Sequence, residues 1–216
     1  MYIPWSLYDD ERQNDRSIMI LNSDSSHSDF LKYSDKLLEM GVSIAKHPFH
    51  QFSMATKKND DIEQRTVVLR KWVLKRRTIM FHTDVRSPKV SQIKSNPLCS
   101  ILFYSNPDKL QLRFKCHAHI HYKNRLSNYM FNQTTSNQRD CYEWQHAPST
   151  KFDYSSKRQF KLHASDPLDA PAIDNFCVCV CNFNDLDLLY LSGKGHIRIK
   201  YEWDRLGNFN TYNLVA

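Results

Sequence analysis

Glycine is scarce, with only four residues in 216, and its scarcity removes two nucleotide-binding designs. Neither G-x-G-x-x-G after a strand nor the Walker pattern is present, and the one cluster, Gly193-Lys194-Gly195, is too short for either. Both designs use glycine so that backbone amides can approach a phosphate closely. If the chain holds a phosphate, side chains must do most of the holding. The six cysteines form no C-x-x-C pair, which argues against a thioredoxin motif and a zinc ribbon. No apolar run approaches the length that crosses a bilayer. The opening residues Met1-Tyr2-Ile3-Pro4-Trp5 soon turn acidic at Asp9, Asp10 and Glu11, without the basic and apolar regions of a secretory signal. The expectation is a cytoplasmic protein with reduced thiols and no membrane contact. A fixed-period repeat is also missing, which disfavours solenoids and propellers.

What is present suits one globular domain. The apolar fraction is 41% and the charged fraction 25%, enough to build a core at this length. Asp, Glu, Asn and Ser cluster in residues 1–27, which read as a loosely ordered N-terminal extension, leaving 28–216 as the domain. The formal charge of +7 and pI near 9.1 favour an anionic partner: a phosphate-bearing cofactor, a nucleic acid or a membrane surface. A nucleic-acid surface would show a basic stripe with interleaved aromatics, whereas the dense cluster Lys71 to Arg77 reads as a hairpin turn.

From Ser28 to Lys46, Phe30, Leu31, Leu37, Leu38, Val42 and Ile44 recur at helical spacing, with Ser28 or Asp29 available as cap. The pattern stops at His47-Pro48 and changes to the alternation of a strand through Phe49, Phe52 and Met54. Short β-rich runs follow at 65–72, 78–83, 100–104 and 110–122, and later at 176–182, 195–203 and 208–215. Two helical patterns interrupt them, one from Ser87-Pro88-Lys89 to Asn96-Pro97 and a polar one from Arg125 to about Gln145.

Two phrases could hold a phosphate. Arg65-Thr66-Val67-Val68-Leu69-Arg70 places guanidinium groups at both ends of a β-branched run. Thr83-Asp84-Val85-Arg86-Ser87-Pro88-Lys89 gathers hydroxyl, guanidinium and ammonium donors at a strand-to-helix turn. Arginine grips phosphate with two parallel bonds, lysine adds a point charge, and a helix N-terminus adds its positive dipole end. Read without a ligand, the same residues are edge charges and a helix start. His117, His119 and His121 share one face of a strand; residues two apart lie about 7 Å from each other, so three rarely share a metal. A solvent-facing strand side is the preferred reading, with Cys116, Ala118 and Ile120 inward. Cys177, Cys179 and Cys181 alternate likewise and read as a core face, because a reduced cysteine packs as a small hydrophobe.

In order and spacing, Arg65-Thr66-Val67-Val68-Leu69-Arg70, Phe81-His82-Thr83-Asp84-x-Arg86-Ser87-Pro88-Lys89, Asn96-Pro97 and Gln111-Leu112-Arg113 resemble the pyridoxamine 5′-phosphate oxidase-like flavoproteins. The resemblance runs from about Phe30 to Leu214 and is strongest from Phe52 to Arg113. It implies a mainly β (α+β) fold, a six-stranded antiparallel split β-barrel with flanking helices. It also implies a homodimer with FMN at the subunit interface. By the same resemblance Arg65 and Lys89 hold the FMN phosphate with Ser87 assisting. Thr66, Val67, Val68 and Leu69 belong to the cofactor-binding run, the last three lining the flavin ring through backbone groups. Arg70 stands where the family usually has lysine, Thr83 contacts the cofactor, and Gln111 reaches the flavin of the neighbouring subunit. Where Pro88 stands the oxidases commonly have arginine, and Arg86 is the available replacement.

The substrate side departs further. The oxidases grip their substrate phosphate with Tyr, Arg and Ser on the inserted helix, and the matching stretch here offers Tyr129, Gln133 and Asn137. Their C-terminal Trp and Arg-x-His fall near Tyr190 and His196-Ile197-Arg198. Losing a bidentate arginine weakens phosphate binding on the order of a hundredfold. The expectation is therefore an FMN-dependent oxidoreductase with an altered substrate site, in which Tyr129, His196 and Arg198 orient an unknown small molecule. Two alternatives remain at this point: a flavin-binding protein without turnover, and a basic nucleic-acid-binding β protein.

Overall fold

The computed structural model describes residues 21–22, 24–144, 146–151, 172–204 and 206–216. Most of the expected N-terminal extension, residues 1–20, lies outside the described residues. The first helix, α1 (His27–Ser43), starts one residue earlier than the apolar pattern suggested and is capped by Ser26, not Ser28, because Ser26 and Asp29 form a reciprocal capping box there. Each satisfies a backbone N–H that the first helical turn leaves without a partner. Phe30, Leu37 and Leu38 on α1 pack onto the barrel end. The helix ends against Phe49 so closely that a Cβ on Gly41 would sit 2.5 Å from the Phe49 carbonyl oxygen. Glycine is required there by space, not by backbone angle.

Strands β1 (Gln51–Lys58) and β2 (Asp61–Val68) form a hairpin, followed by the short β3 (Lys71–Val73) and β4 (Thr78–Asp84). The apolar run expected at 65–72 is broken at Leu69-Arg70, where the backbone leaves β1 and turns to β4. Leu69 N–H donates to His50 O and Arg70 N–H to Met80 O. The basic cluster at 75–77 is a turn, as its composition indicates: Leu74–Arg76 form one 3₁₀ turn, and Arg77 takes the left-handed conformation at φ 52°. Helix α2 (Pro88–Ser95) follows, then β5 (Leu98–Ser105) and β6 (Leu110–Tyr122). The polar helical stretch resolves into α3 (Arg125–Asn132), α4 (Ser136–Arg139) and a 3₁₀ turn at Asp140–Tyr142. Helix α5 (Ala172–Asn175) leads into β7 (Phe176–Tyr190), β8 (Ile197–Trp203) and β9 (Phe209–Leu214).

All pairings are antiparallel. The order is β2-β1-β5-β6-β7-β4-β3, with β8 on β7 and β9 on β8. The described residues thus give nine strands in one sheet, against the six of the expectation. β7 runs well past Asn182, where its apolar pattern seemed to stop, because its second half keeps partners on both sides. One edge follows β6 throughout; the other pairs β4 over 176–182 and β8 over 185–190. That change of partner lies beside a register shift between β6 and β7 at Lys115/Cys116.

The core is aromatic. Phe49, Phe52, Phe103, Phe114 and Phe183 are all 2% exposed or less. Trp72 stacks on Phe183 at 5.5 Å and donates its Nε1–H to Asp35 on α1 (2.6 Å). Burying rings of this size contributes about 1.5–3 kcal/mol each. A second cluster covers the outer face of the sheet: Met80 on β4 and Phe176, Val178 and Val180 on β7 meet Leu126 and Met130 of α3, Tyr142 and Ala172. Cys177, Cys179 and Cys181 line the barrel interior, fully buried, as their alternation indicates. His117 and His119 are exposed and His121 half-buried, with Cys116 and Ala118 inward. Among the described residues, no three His, Cys, Asp or Glu side chains converge as metal ligands. No helix among them is long and apolar enough to cross a membrane.

Candidate cofactor site

The hairpin register and α2 bring the two basic phrases together. On β2, Arg65 stands opposite Met54 and turns its guanidinium towards α2. Nη1 donates to Thr56 Oγ1 on β1, and Nη2 donates to Gln92 Oε1 on α2 (3.0 Å). Glu63 Oε2 lies 3.5 Å from Nη2. Gln92, buried at 6% exposure, accepts from the Thr56 hydroxyl (2.6 Å) and donates through Nε2 to Glu63 Oε2 (2.7 Å). Thr56, Glu63 and Gln92 therefore fix the direction of the Arg65 side chain. The sequence reading gave none of them a role, and the only sign of Gln92 was a polar residue on the inner face of a short amphipathic helix.

Lys89, in the first turn of α2, donates to Ser87 Oγ (2.6 Å) and Thr83 Oγ1 (3.0 Å). Burial lowers its pKa, and the positive charge of Arg65 lowers it further. The Arg65 pKa is lowered as well, by burial. Among the described residues no carboxylate lies within ion-pair distance of Lys89. Two partly buried cations thus face one region, one of them held only by hydroxyls, at the N-terminus of a helix whose cap residue Ser87 makes no side-chain capping bond. This arrangement is costly alone and is relieved by an anion. A phosphate, with oxygens for several donors and negative charge for both cations, fits it.

The other expected cofactor residues are placed as follows. Thr66 is exposed, Val67 and Val68 are half-buried at the end of β2, and Leu69 is fully buried. Arg86 is engaged elsewhere. Its Nε and Nη2 grip Asp84 (3.0 and 2.7 Å), and Nη2 also donates to Trp144 O (2.9 Å). Arg70 lies near His82, whose ring is mostly buried; desolvation, with the Arg70 charge, pushes its pKa down to about 3. His82 Nε2 is buried with no hydrogen-bond partner, and the ring meets Phe176 edge to face at 4.8 Å. His82 lies inside the phrase 81–89, yet nothing in the sequence marked it, because a strand histidine is as readily exposed as buried.

Gln111 lies away from this corner, half-buried on β6, opposite Leu189 of β7. Leu189 in turn faces Arg198 of β8, so Gln111 and Arg198 belong to one row across the sheet. Arg198 donates through Nε and Nη2 to Asp187 (3.0 and 2.9 Å), and Arg113 donates to the same carboxylate (2.7 Å). Burial raises the Asp187 pKa, but the bonds and charges of both arginines outweigh it and hold the carboxyl below its ordinary value. His196 is exposed in the turn before β8. Tyr129 on α3 packs against the second apolar cluster, over β4 and the first half of β7. The fold therefore assembles Arg65, Thr83, Ser87 and Lys89, while Tyr129, Gln111 and Arg198 lie on other elements.

Comparison with known proteins follows the same division. Residues 33–122 match the family described as pyridoxamine 5′-phosphate oxidase, FMN-binding domain. That span contains every expected cofactor residue and none of the expected substrate residues. Among solved structures, the chain is similar to a pyridoxamine 5′-phosphate oxidase-related, FMN-binding protein of Nostoc punctiforme PCC 73102. The TM-score is 0.70 at 20% identity, covering 86% of this chain and 96% of that one. It is similar also to PhzG from Burkholderia lata 383, solved with tetrahydrophenazine-1-carboxylic acid, with TM-score 0.69 at 18% identity, covering 93% and 100%. At these identities the likeness is one of fold. No curated protein matches the sequence. Residues 33–122 thus match the FMN-binding domain of the pyridoxamine 5′-phosphate oxidase type, and the chain shares the mainly antiparallel split-barrel fold of such proteins.

Proposed function

We propose that the chain is an FMN-dependent oxidoreductase of altered substrate choice, with Arg65 and Lys89 as the phosphate ligands and Thr83 and Ser87 orienting Lys89. The observation that carries the reading is the pair of partly buried cations, Arg65 and Lys89, lacking a carboxylate at Lys89. FMN, when bound, supplies a hydride acceptor. The chain's own residues bind the phosphate, hold Arg65 in place through Gln92, and keep the His82 ring neutral beside Arg70.

The reading includes a homodimer. Gln111 and Arg198 share a sheet face remote from the Arg65 corner, which supports their acting on the partner subunit's flavin. Six free thiols suit a reducing compartment and support a cytoplasmic location. A flavin-binding protein without turnover is the second reading. Arg198, expected to orient substrate, already has two of its nitrogens committed to Asp187.

The test is an absorbance spectrum of the purified protein from about 300 to about 550 nm, with and without added FMN. Two flavin bands are expected, and a colourless protein at micromolar FMN would end the cofactor assignment. Bleaching of those bands by reduced nicotinamides or amine donors under anaerobic conditions would support the oxidoreductase. Bands that resist every donor while chemical reductant bleaches them would favour the non-catalytic reading.

A further inference from the structure

The barrel interior holds a line of thiols that flavin binding leaves unused. Cys99 on β5, Cys116 on β6, and Cys179 and Cys181 on β7 are all buried. Register explains the gathering: Cys99 stands directly opposite Cys116, and Cys181 stands opposite Ala118, two residues along from Cys116. That register places the Cys99 side chain beside those of Cys116 and Cys181. Cys181 also contacts Cys179, with the sulfurs 3.8 Å apart. The four thiols thus occupy neighbouring positions on three adjacent strands. Packing of small apolar groups accounts for burial of each; it does not require two cysteines to stand directly opposite each other on neighbouring strands.

Directly opposed residues of an antiparallel pair have Cα atoms about 4.5 or 5.5 Å apart. Both values fall within the roughly 4.4–6.8 Å that a disulfide spans, so Cys99 and Cys116 can be joined without moving β5 from β6. The two are not equivalent. Cys99 is 9% exposed and Cys116 1%, and Cys99 is the second residue of β5, at the strand's start. The neighbouring Cys116 and Cys181 thiols favour its thiolate, helped by His117, while the interaction with Cys99 and burial push the Cys116 thiol up. The nucleophilic form therefore belongs to the thiol that small solutes reach first.

We propose that Cys99 and Cys116 form a reversible disulfide, with Cys99 as the thiol that meets a hydroperoxide. The Cys99 sulfur attacks one peroxide oxygen, the O–O bond breaks, and the leaving oxygen departs as water, or as an alcohol from an organic peroxide. Cys116 then displaces the sulfenyl oxygen as water and the S–S bond forms. Two thiols lose two electrons and two hydrogens, and one peroxide is reduced. The assignment is independent of flavin binding.

The test uses the full-length protein treated with near-stoichiometric hydrogen peroxide, denatured in iodoacetamide, digested without reductant and read by mass spectrometry. The expected product is a peptide pair joined through Cys99 and Cys116, two hydrogens lighter than its parts and separated by dithiothreitol. The exposed Cys141 reports that oxidant was sufficient, and a Cys141→Ser protein should give the same joined pair. Recovery of Cys99 and Cys116 both alkylated, at peroxide levels that oxidise Cys141, would overturn the proposal. So would a link from Cys99 to Cys181.

Discussion

Two arginine sites in this fold are built on opposite terms. At the β2–α2 corner, Arg65 and Lys89 face the same region, and the groups that hold Lys89 are hydroxyls, with Thr83 and Ser87 as its partners. On the outer face of β6, β7 and β8, Arg113 and Arg198 instead share the carboxylate of Asp187. At the first site the one carboxylate, Glu63, lies 3.5 Å from Arg65 and leaves Lys89 to its hydroxyls, whereas at the second Asp187 is bonded to both arginines at 2.7 and 2.9 Å. Both were expected to bind ligand, and the structure distinguishes them by what already neutralises each guanidinium. A partly buried cation without a carboxylate partner, as Lys89 is, raises the free energy of the empty state, which an anion then recovers. An arginine already gripped at two nitrogens must first give up those bonds.

The comparison is tested most severely at the corner. Hydrogen bonds to a charged group contribute about 1.5–3 kcal/mol each, so removing both cations should weaken FMN on the order of a thousandfold. An Arg65→Ala, Lys89→Ala protein titrated with FMN and with riboflavin separates the roles. FMN affinity should collapse while riboflavin, which lacks the phosphate, changes little. Equal loss of both ligands would show that these residues shape the fold and do not hold the phosphate.

His82 extends the comparison to protons. Its folded pKa, pushed down to about 3 from 6.5, means that below pH 6.5 the unfolded chain takes a proton the folded chain refuses. Stability is therefore lost as pH falls from about 6.5 towards 3, amounting to about 2 kcal/mol by pH 5. His82→Phe keeps an aromatic ring against Phe176 and removes the titration. Urea unfolding at pH 7 and pH 5 should show a smaller acid loss in the variant. The same loss in both proteins would place the titrating group elsewhere.

Gln92 measures how much of the corner is direction and how much is charge. Gln92→Leu removes the bond to Arg65 Nη2 and the link to Glu63 while leaving both cations in place. The expected result is about a tenfold rise in the FMN dissociation constant, with riboflavin unchanged. Unchanged FMN affinity would mean that Thr56 and Glu63 suffice to aim Arg65.

How much of this was legible in the sequence depends on whether a feature is local. The first helix, expected at 28–46 and found at 27–43 with its cap shifted to Ser26, the turn at 75–77, the inward cysteines of β7 and the helix start at Pro88 all follow from neighbouring residues. The brace behind Arg65 joins residues 56, 63, 65 and 92, which only β pairing and helix docking bring together, so no spacing could announce it. The extension of β7 to Tyr190 was hidden for a related reason. Its second half alternates Asp185, Asp187 and Leu189 with Phe183, Leu186 and Leu188 across a register shift, and a pattern with a skipped step does not read as one strand. The ion pair at Arg198 was likewise invisible, because Asp187 lies eleven residues away, on a strand whose end had been placed too early.

That ion pair gives the smallest effect and the sharpest check on the contrast. If Arg198 is spent on Asp187, then in Arg198→Ala the carboxylate keeps Arg113 (2.7 Å) and the corner that holds FMN is untouched. Arg198 makes none of the bonds that hold Arg65 or Lys89, so FMN affinity should move less than about threefold, as read in the same titration as the double variant. A loss comparable to that of Arg65 would mean that Arg198 releases Asp187 when flavin arrives. The guanidinium would then be acting across a subunit interface, and the difference between the two arginine sites would hold only for the empty protein.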